Sequence, residues 1–325
     1  MRFGLEEEVF VLEPVHPNVQ SLYYMSKLLW SNPSFYYSHS ATNFNRGQDL
    51  RLGLMSSVEI STRICDTPLE LIDDLSLRRR DLANATSGYI VAMGSLIDQW
   101  APRNIAGLHI HMSGFDDFEH SYDNIIHFLP LLALLTANAP LANNKPYGKS
   151  FRWAEGFAIG PLRDDKYYRF QDVIISKRLG TLEMRLFDST WDLERIEKLV
   201  YALSVVAADS HRFDGDYQRY NELRTVVARY GYVEPIKHLY EELSQLIDIP
   251  ETCFSTSPAD IVRNIYEDYG LENTYNILDN GYRGGKLELG KKKHFSFNPV
   301  KALCGFVFYY LPKAPYNIRK VLKEW

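Results

Sequence analysis

Val9, Phe10, Val11 and Leu12 end the segment 4–12 with side chains that favour a pleated, largely buried conformation. Alternate side chains of a strand share a face, so Glu6 and Glu8 project the same way. The same period of two recurs over 54–65, where Val58, Ile60, Thr62 and Ile64 oppose Glu59, Ser61 and Arg63. It recurs over 106–114, where His109 and His111 oppose Leu108, Ile110 and Met112. Residues 171–176 and 181–187 predict a hairpin about Arg178, Leu179 and Gly180, with Glu183 and Arg185 sharing a face of its second strand. Strands that are half polar predict an antiparallel sheet covered on one face, not a doubly wound parallel sheet.

Helical spacing covers much of the remainder. Residues 18–30 predict a short helix, followed by an aromatic and polar connection (Phe35, Tyr36, Tyr37, Asn43, Asn45) long enough to be functional. Thr67, Pro68 and Glu70 supply a cap, a first-turn proline and an acid for a helix running to about Ile97. Residues 118–138, 193–212, 217–230, 234–247 and 258–269 show the apolar period of further helices. Pro140, Asn143, Asn144, Pro146 and Gly148 mark a loop over 138–152. The glycine-rich basic stretch 281–293 does not fit GxxxxGK[ST] and reads as a mobile surface loop. Residues 295–325 mix aromatics with Lys313, Arg319, Lys320 and Lys323, which suits a packed C-terminal segment, with membrane-surface docking as the alternative.

Composition narrows the function classes. A chain of 325 residues, 46% hydrophobic, can bury a substantial core as one large domain or two ordinary ones. A net charge of −5 and a pI near 6.0 give no basis for nucleic-acid binding. Cys65, Cys253 and Cys304 are odd in number and widely spaced, which argues against a disulfide framework or a zinc knuckle. The N-terminus enters a strand directly, and no apolar run reaches the ~20 residues that span a bilayer, so a cytoplasmic protein is expected.

Each polar cluster admits two readings. Glu6 and Glu8 suit Mg²⁺ or Mn²⁺ as hard oxygen ligands, or a solvated strand edge. His109 and His111 suit a shared metal, a phosphate, or a hydrogen-bonded pair in a polar cleft. Lys145, Lys149 and Arg152 mark an anion site or face water. Glu183 and Arg185 form a surface cross-strand pair or a metal ligand beside a phosphate clamp. Taken together, Glu6, Glu8, Glu59, His109 and Glu183 each lie on the polar face of a predicted strand. One sheet curving around a cleft would bring them together as ligands for magnesium ions that hold a nucleoside triphosphate.

These segments resemble, in order, the signature strands of the glutamate-cysteine ligase family, in particular its carboxylate-amine ligase branch. The resemblance rests on Gly4-Leu5-Glu6-Glu7-Glu8, Val58-Glu59-Ile60-Ser61-Thr62, His109-Ile110-His111 and Leu182-Glu183-Met184-Arg185. Ala137-Asn138-Ala139-Pro140 with Gly148-Lys149-Ser150-Phe151-Arg152 is similar to the branch's Ser-Pro and Gly-Tyr-x-Ser-x-Arg loop, and Asn221, Arg224, Arg229 and Gly231 to its late Asn-Arg helix. The similarity covers residues 1–245 of a chain taken as one catalytic domain, and leaves 246–325 unmatched. Ala139 replaces the usual Ser, and Lys149 the common Tyr, which bears on the acceptor pocket.

The resemblance implies an α+β, glutamine-synthetase-like fold, in which a curved antiparallel sheet forms a funnel with helices packed outside. It implies ATP and Mg²⁺, with Mn²⁺ as an alternative, and a small glutamate-like carboxylate and an amine as substrates. By position Glu6, Glu8, Glu59, His109 and Glu183 correspond to metal ligands, and Arg185, Arg224 and Arg229 to nucleotide-binding groups. Lys149 and Arg152 are the candidates for holding the substrate carboxylate or phosphate. The chemistry implied is amide formation through an acyl phosphate. A metal-dependent hydrolase using the same Glu/His cluster and a non-catalytic nucleotide-binding homologue are the alternatives. The oligomeric state stays open, a homodimer being one option.

Overall fold

The computed structural model describes residues 1–16, 19–32, 58–100, 105–154, 171–176 and 181–311. The connection at 35–45, the turn at 178–180 and the basic residues Lys313, Arg319, Lys320 and Lys323 lie outside the described residues.

Strand β1 (Arg2–Leu12) is the axis of a six-stranded open sheet in which every pairing is antiparallel. It pairs with β2 (Val58–Ser61), β3 (Tyr89–Val91) and β4 (Leu108–Ser113). Off the sheet, β5 (Leu141–Ala142) and β6 (Lys145–Pro146) form a short hairpin. Beyond β4 the sheet continues through β8 (Thr181–Met184) to the edge strand β7 (Val173–Ser176). The expected antiparallel arrangement is therefore present.

Burial along β1 follows the two-residue period. Phe3, Leu5 and Val9 are buried, while the alternate positions Gly4, Glu6 and Glu8 are only partly covered; from Val9 onward both faces are enclosed. The helices are α1 (Ser21–Ser31), α2 (Pro68–Ala85), α3 (Phe118–Leu132), α4 (Leu193–Ala208), α5 (Tyr217–Tyr230), α6 (Glu234–Leu243), the single turn α7 (Thr252–Ser255), α8 (Pro258–Gly284) and α9 (Pro299–Tyr310). Helix α3 packs against α4, α5 and α6, α2 against α4 and β1, α8 against β3, and α1 against α9. One apolar cluster from Phe3 to Tyr309 joins these layers to the covered face of the sheet. Among the described residues no helix is long and apolar enough to cross a membrane.

Two expectations need correction. The helix begun by Thr67, whose hydroxyl accepts from Glu70 N–H at 3.2 Å, ends at Ala85 and not near Ile97. Tyr89, Ile90 and Val91 instead form β3, fully buried opposite Phe10, Val11 and Leu12. Gly88 permits this close approach, because a Cβ there would lie 2.7 Å from Val11 Cγ1. The glycine-rich stretch is also not a loop at its start. Gly281 and Gly284 belong to α8, which bends at Gly270 (φ 71°) and is capped by left-handed Gly285. The periodicity of 258–269 stopped at that bend, while the helix resumes beyond it.

Glu7 points away from Glu6 and Glu8, into the helical layer, and is fully buried. Arg79 of α2 donates to its carboxylate through Nε (3.1 Å) and Nη2 (2.5 Å), and Tyr282 of α8 donates through its hydroxyl (2.9 Å). The guanidinium also donates to the Thr190 and Trp191 carbonyls at 2.7 and 2.8 Å. A buried charge pair of this kind is satisfied only as a whole, so removing one partner strands the other. Glu7→Gln is expected to lower unfolding free energy by ~3–5 kcal/mol in urea titrations, and the double change Glu7→Gln/Arg79→Met by less. A single-variant loss below ~1 kcal/mol would show that the pair is not formed.

Candidate active site

The antiparallel register places the predicted polar residues side by side. Glu6 of β1 stands opposite His109 of β4 and Ser61 of β2. Gly4 stands opposite His111, His111 opposite Glu183 of β8, and Glu8 opposite Glu59 of β2. Opposed residues of an antiparallel pair share a face, so Glu59, Glu8, Glu6, His109, His111 and Glu183 form one stripe across four strands. Gly4 keeps the stripe open beside His111, whose Cβ would be 3.8 Å from a Cβ at Gly4.

Glu6 is the hub of the stripe. Its Oε2 lies 3.6 Å from His109 Nδ1 and 3.6 Å from His111 Nε2, while His109 Nδ1 lies 4.0 Å from Glu183 Oε1. These distances are ion-pair contacts rather than hydrogen bonds. Burial pushes the Glu6 carboxyl up, but the two imidazoles outweigh it and hold the group well below the usual carboxylate range. Burial acts to lower the His111 pKa, and the carboxylates of Glu6 and Glu183 reverse that and raise it.

Glu6, His111 and Glu183 offer one ligand atom each, all within 4.8 Å of one another. An ion about 2.0–2.6 Å from each ligand atom fits that spacing. His111 Nε2 is buried and has no hydrogen-bond partner, whereas Nδ1 sits 3.2 Å from Thr181 Oγ1, a contact that orients the ring. The donor set therefore fits a hard divalent cation. Sequence alone favoured His109 as the single histidine ligand; the three ligand atoms that come together include His111 and not those of His109, Glu8 or Glu59. The period of two at His109-Ile110-His111 already carried that signal. Glu8 accepts from Gly107 N–H at 3.0 Å. Arg185, just past β8, pairs with Glu183 at 2.5 Å.

Of the other predicted cations, Lys149, Arg224 and Arg229 are engaged by partners outside this cluster, while Arg152 lies beside it. Lys149 Nζ lies 2.5 and 2.6 Å from the two oxygens of Asp260, near the start of α8. Arg229 is exposed, donates to the Tyr147 carbonyl at 2.8 Å and stacks on its ring at 4.1 Å. Arg224 is buried, 2.5 Å from Asp172. Arg152 donates to the Leu186 carbonyl at 2.6 Å and the Arg185 carbonyl at 2.9 Å. Gly107 allows Arg152 to lie there, since a Cβ would be 2.5 Å from its Nη2 and 3.3 Å from His109 Nε2.

Asp188, to which the sequence assigned no role of its own, is fully buried opposite Gly107 and accepts from Asn138 N–H at 2.8 Å. Burial raises its pKa from 3.8 to about 6, against the opposing pull of Arg152 and the Asn138 N–H.

The chain has the fold of a glutamate-cysteine ligase, so the family resemblance holds at the level of the fold. The glutamate-cysteine ligase of Francisella tularensis, in complex with AMP, matches with a TM-score of 0.57 at 10% identity, over 97% of this chain and 93% of that one. A bifunctional glutathione synthetase from Pasteurella multocida matches with a TM-score of 0.55 at 15% identity, over 87% of this chain. The chain spans about half the length of the Pasteurella protein, 51% of which is covered. No protein-family model and no curated protein sequence matches the chain.

The Asp188 carboxyl gives a pH prediction. The unfolded chain releases this proton near pH 3.8 and the folded chain only near about 6, so the group's contribution to stability falls as pH rises across that window. Asp188→Asn removes this slope. Stability of the wild type relative to the variant, measured by urea unfolding, should decline by up to ~3 kcal/mol between about pH 4 and pH 7. A difference that stays constant with pH would place the proton elsewhere.

Proposed function

We propose that this protein is an ATP- and Mg²⁺-dependent carboxylate-amine ligase that joins a glutamate-like carboxylate to an amine, most simply as a γ-glutamyl amide. The observation that carries the reading is the cross-strand stripe, in which acids and imidazoles from β1, β2, β4 and β8 converge beside Arg185. The shared fold with a ligase whose structure holds AMP supports the nucleotide-dependent part of this reading. On this reading the sheet lines a funnel, the whole chain acts as one catalytic unit in the cytoplasm, and small molecules are its partners.

The chemistry asks for charge neutralisation. A carboxylate that attacks the γ-phosphorus of ATP gives an acyl phosphate and ADP, and the amine then displaces phosphate from the acyl carbon. Divalent ions, when bound, neutralise the phosphate oxygens during transfer. Glu6, His111 and Glu183 would hold such an ion, with Glu8 and Glu59 as further acids and His109 as a further imidazole along the stripe. Arg185, paired with Glu183 beside this cluster, would neutralise charge on the transferring phosphoryl group. Placement of both substrates along the stripe supplies much of the remaining rate.

Amino acids and amines screened with ATP and Mg²⁺ should release ADP and phosphate only when both an acid and an amine are present, with the amide detected by mass. ATP hydrolysis that ignores the amine would contradict a ligase. Glu183→Gln should lower turnover by roughly a thousandfold with thermal stability little changed. Unaltered turnover would remove Glu183 from the site.

A further inference from the structure

Arg185 sits where the strand ladder has ended, since β8 stops at Met184. Its main chain is held by one further rung in the β7–β8 register and by a side chain from outside it. Its N–H donates to the Asp172 carbonyl at 2.6 Å, and its own carbonyl accepts from Arg152 Nη2 at 2.9 Å. The next carbonyl, Leu186, accepts from Arg152 Nη1 at 2.6 Å and from the Trp153 indole N–H at 2.7 Å.

A second ring of contacts fixes these holders. The Asp172 carboxylate meets Arg224 Nε at 2.5 Å and accepts from the Tyr220 hydroxyl at 2.8 Å, both on α5. Arg224 Nη1 then donates to the Trp153 carbonyl at 2.8 Å, which closes the circuit from Asp172 to the 151–153 turn. Arg152, Trp153, Asp172 and Arg224 are all buried or nearly so. A guanidinium spanning two successive carbonyls fixes both position and orientation, which an ammonium cannot do.

We propose that Arg152, Trp153, Asp172 and Arg224 are positioning residues, a clamp that fixes the Arg185 main chain and thereby aims its guanidinium at the Glu6–His111–Glu183 cluster. The inference rests on the ligase reading for its catalytic consequence, though not for its structural one. It gives Arg152 and Arg224 a role other than contact with substrate or nucleotide. The precision required is high, because a misplacement of about 1 Å at a reacting group costs about a hundredfold in rate.

Two conservative changes test the clamp. Arg152→Lys keeps the charge and loses the two-carbonyl span; Trp153→Phe keeps the ring and loses its N–H. The first readout is the ¹⁵Nε resonance of Arg185 in the full-length protein, assigned through Arg185→Lys. Both changes should shift or broaden it, and an unchanged resonance in both overturns the clamp whether or not turnover is found. The second readout is kinetic. Arg152→Lys should lower kcat by about tenfold or more with KM for ATP within about twofold, and should cost nothing further in an Arg185→Ala background. A raised KM, or an undiminished effect in that background, would make Arg152 a substrate contact and overturn the proposal. A wild type that never turns over ATP defeats the ligase reading alone, leaving the resonance to decide the clamp.

Discussion

The register of β1 is the constraint on which the rest depends. Glu6 and Glu8 lie on the partly open face only because Glu7 lies on the buried one, and a slip of one residue would exchange the two faces. The Glu7–Arg79–Tyr282 contacts hold the strand in phase from behind. A buried ion pair of this kind adds less to net stability than its Coulomb attraction suggests, because two charges must first leave water. In the observed register Glu7 gives Arg79 its carboxylate, and Glu6 lies on the opposite face, next to both histidines.

The stripe itself is electrostatically half prepared. Carboxylates gathered within a few ångströms repel, and here His109, His111 and Arg185 offset that repulsion. Glu6 stays ionised despite its burial, which is the state a divalent ion requires.

Much of this was legible in the alternation of side chains. The half-polar strands gave the antiparallel sheet, and the two-residue period put Glu6 with Glu8 and His109 with His111, since a strand's faces follow from its sequence alone. What the period cannot show is which strands are neighbours or how far each side chain reaches. His111 was therefore visible as a face-mate of His109 but not as the partner of Glu183. Strand β3 was hidden because Tyr89-Ile90-Val91 continues the apolar spacing of the preceding helix, and only its fit against Phe10–Leu12 decides the matter. Arg152 and Arg224 were visible as basic residues in a family-like pattern. Their attachment to main-chain carbonyls and to Asp172 belongs to tertiary structure, as does the burial that lifts Asp188.

The most direct test of the central claim is a titration of the full-length protein with Mn²⁺ alone, followed by electron paramagnetic resonance. A tightly bound ion should appear, with a nitrogen coupling that disappears in His111→Gln and with much weaker binding in Glu6→Gln. Equal Mn²⁺ affinity in wild type and both variants, or bound Mn²⁺ without any nitrogen coupling, would contradict the account.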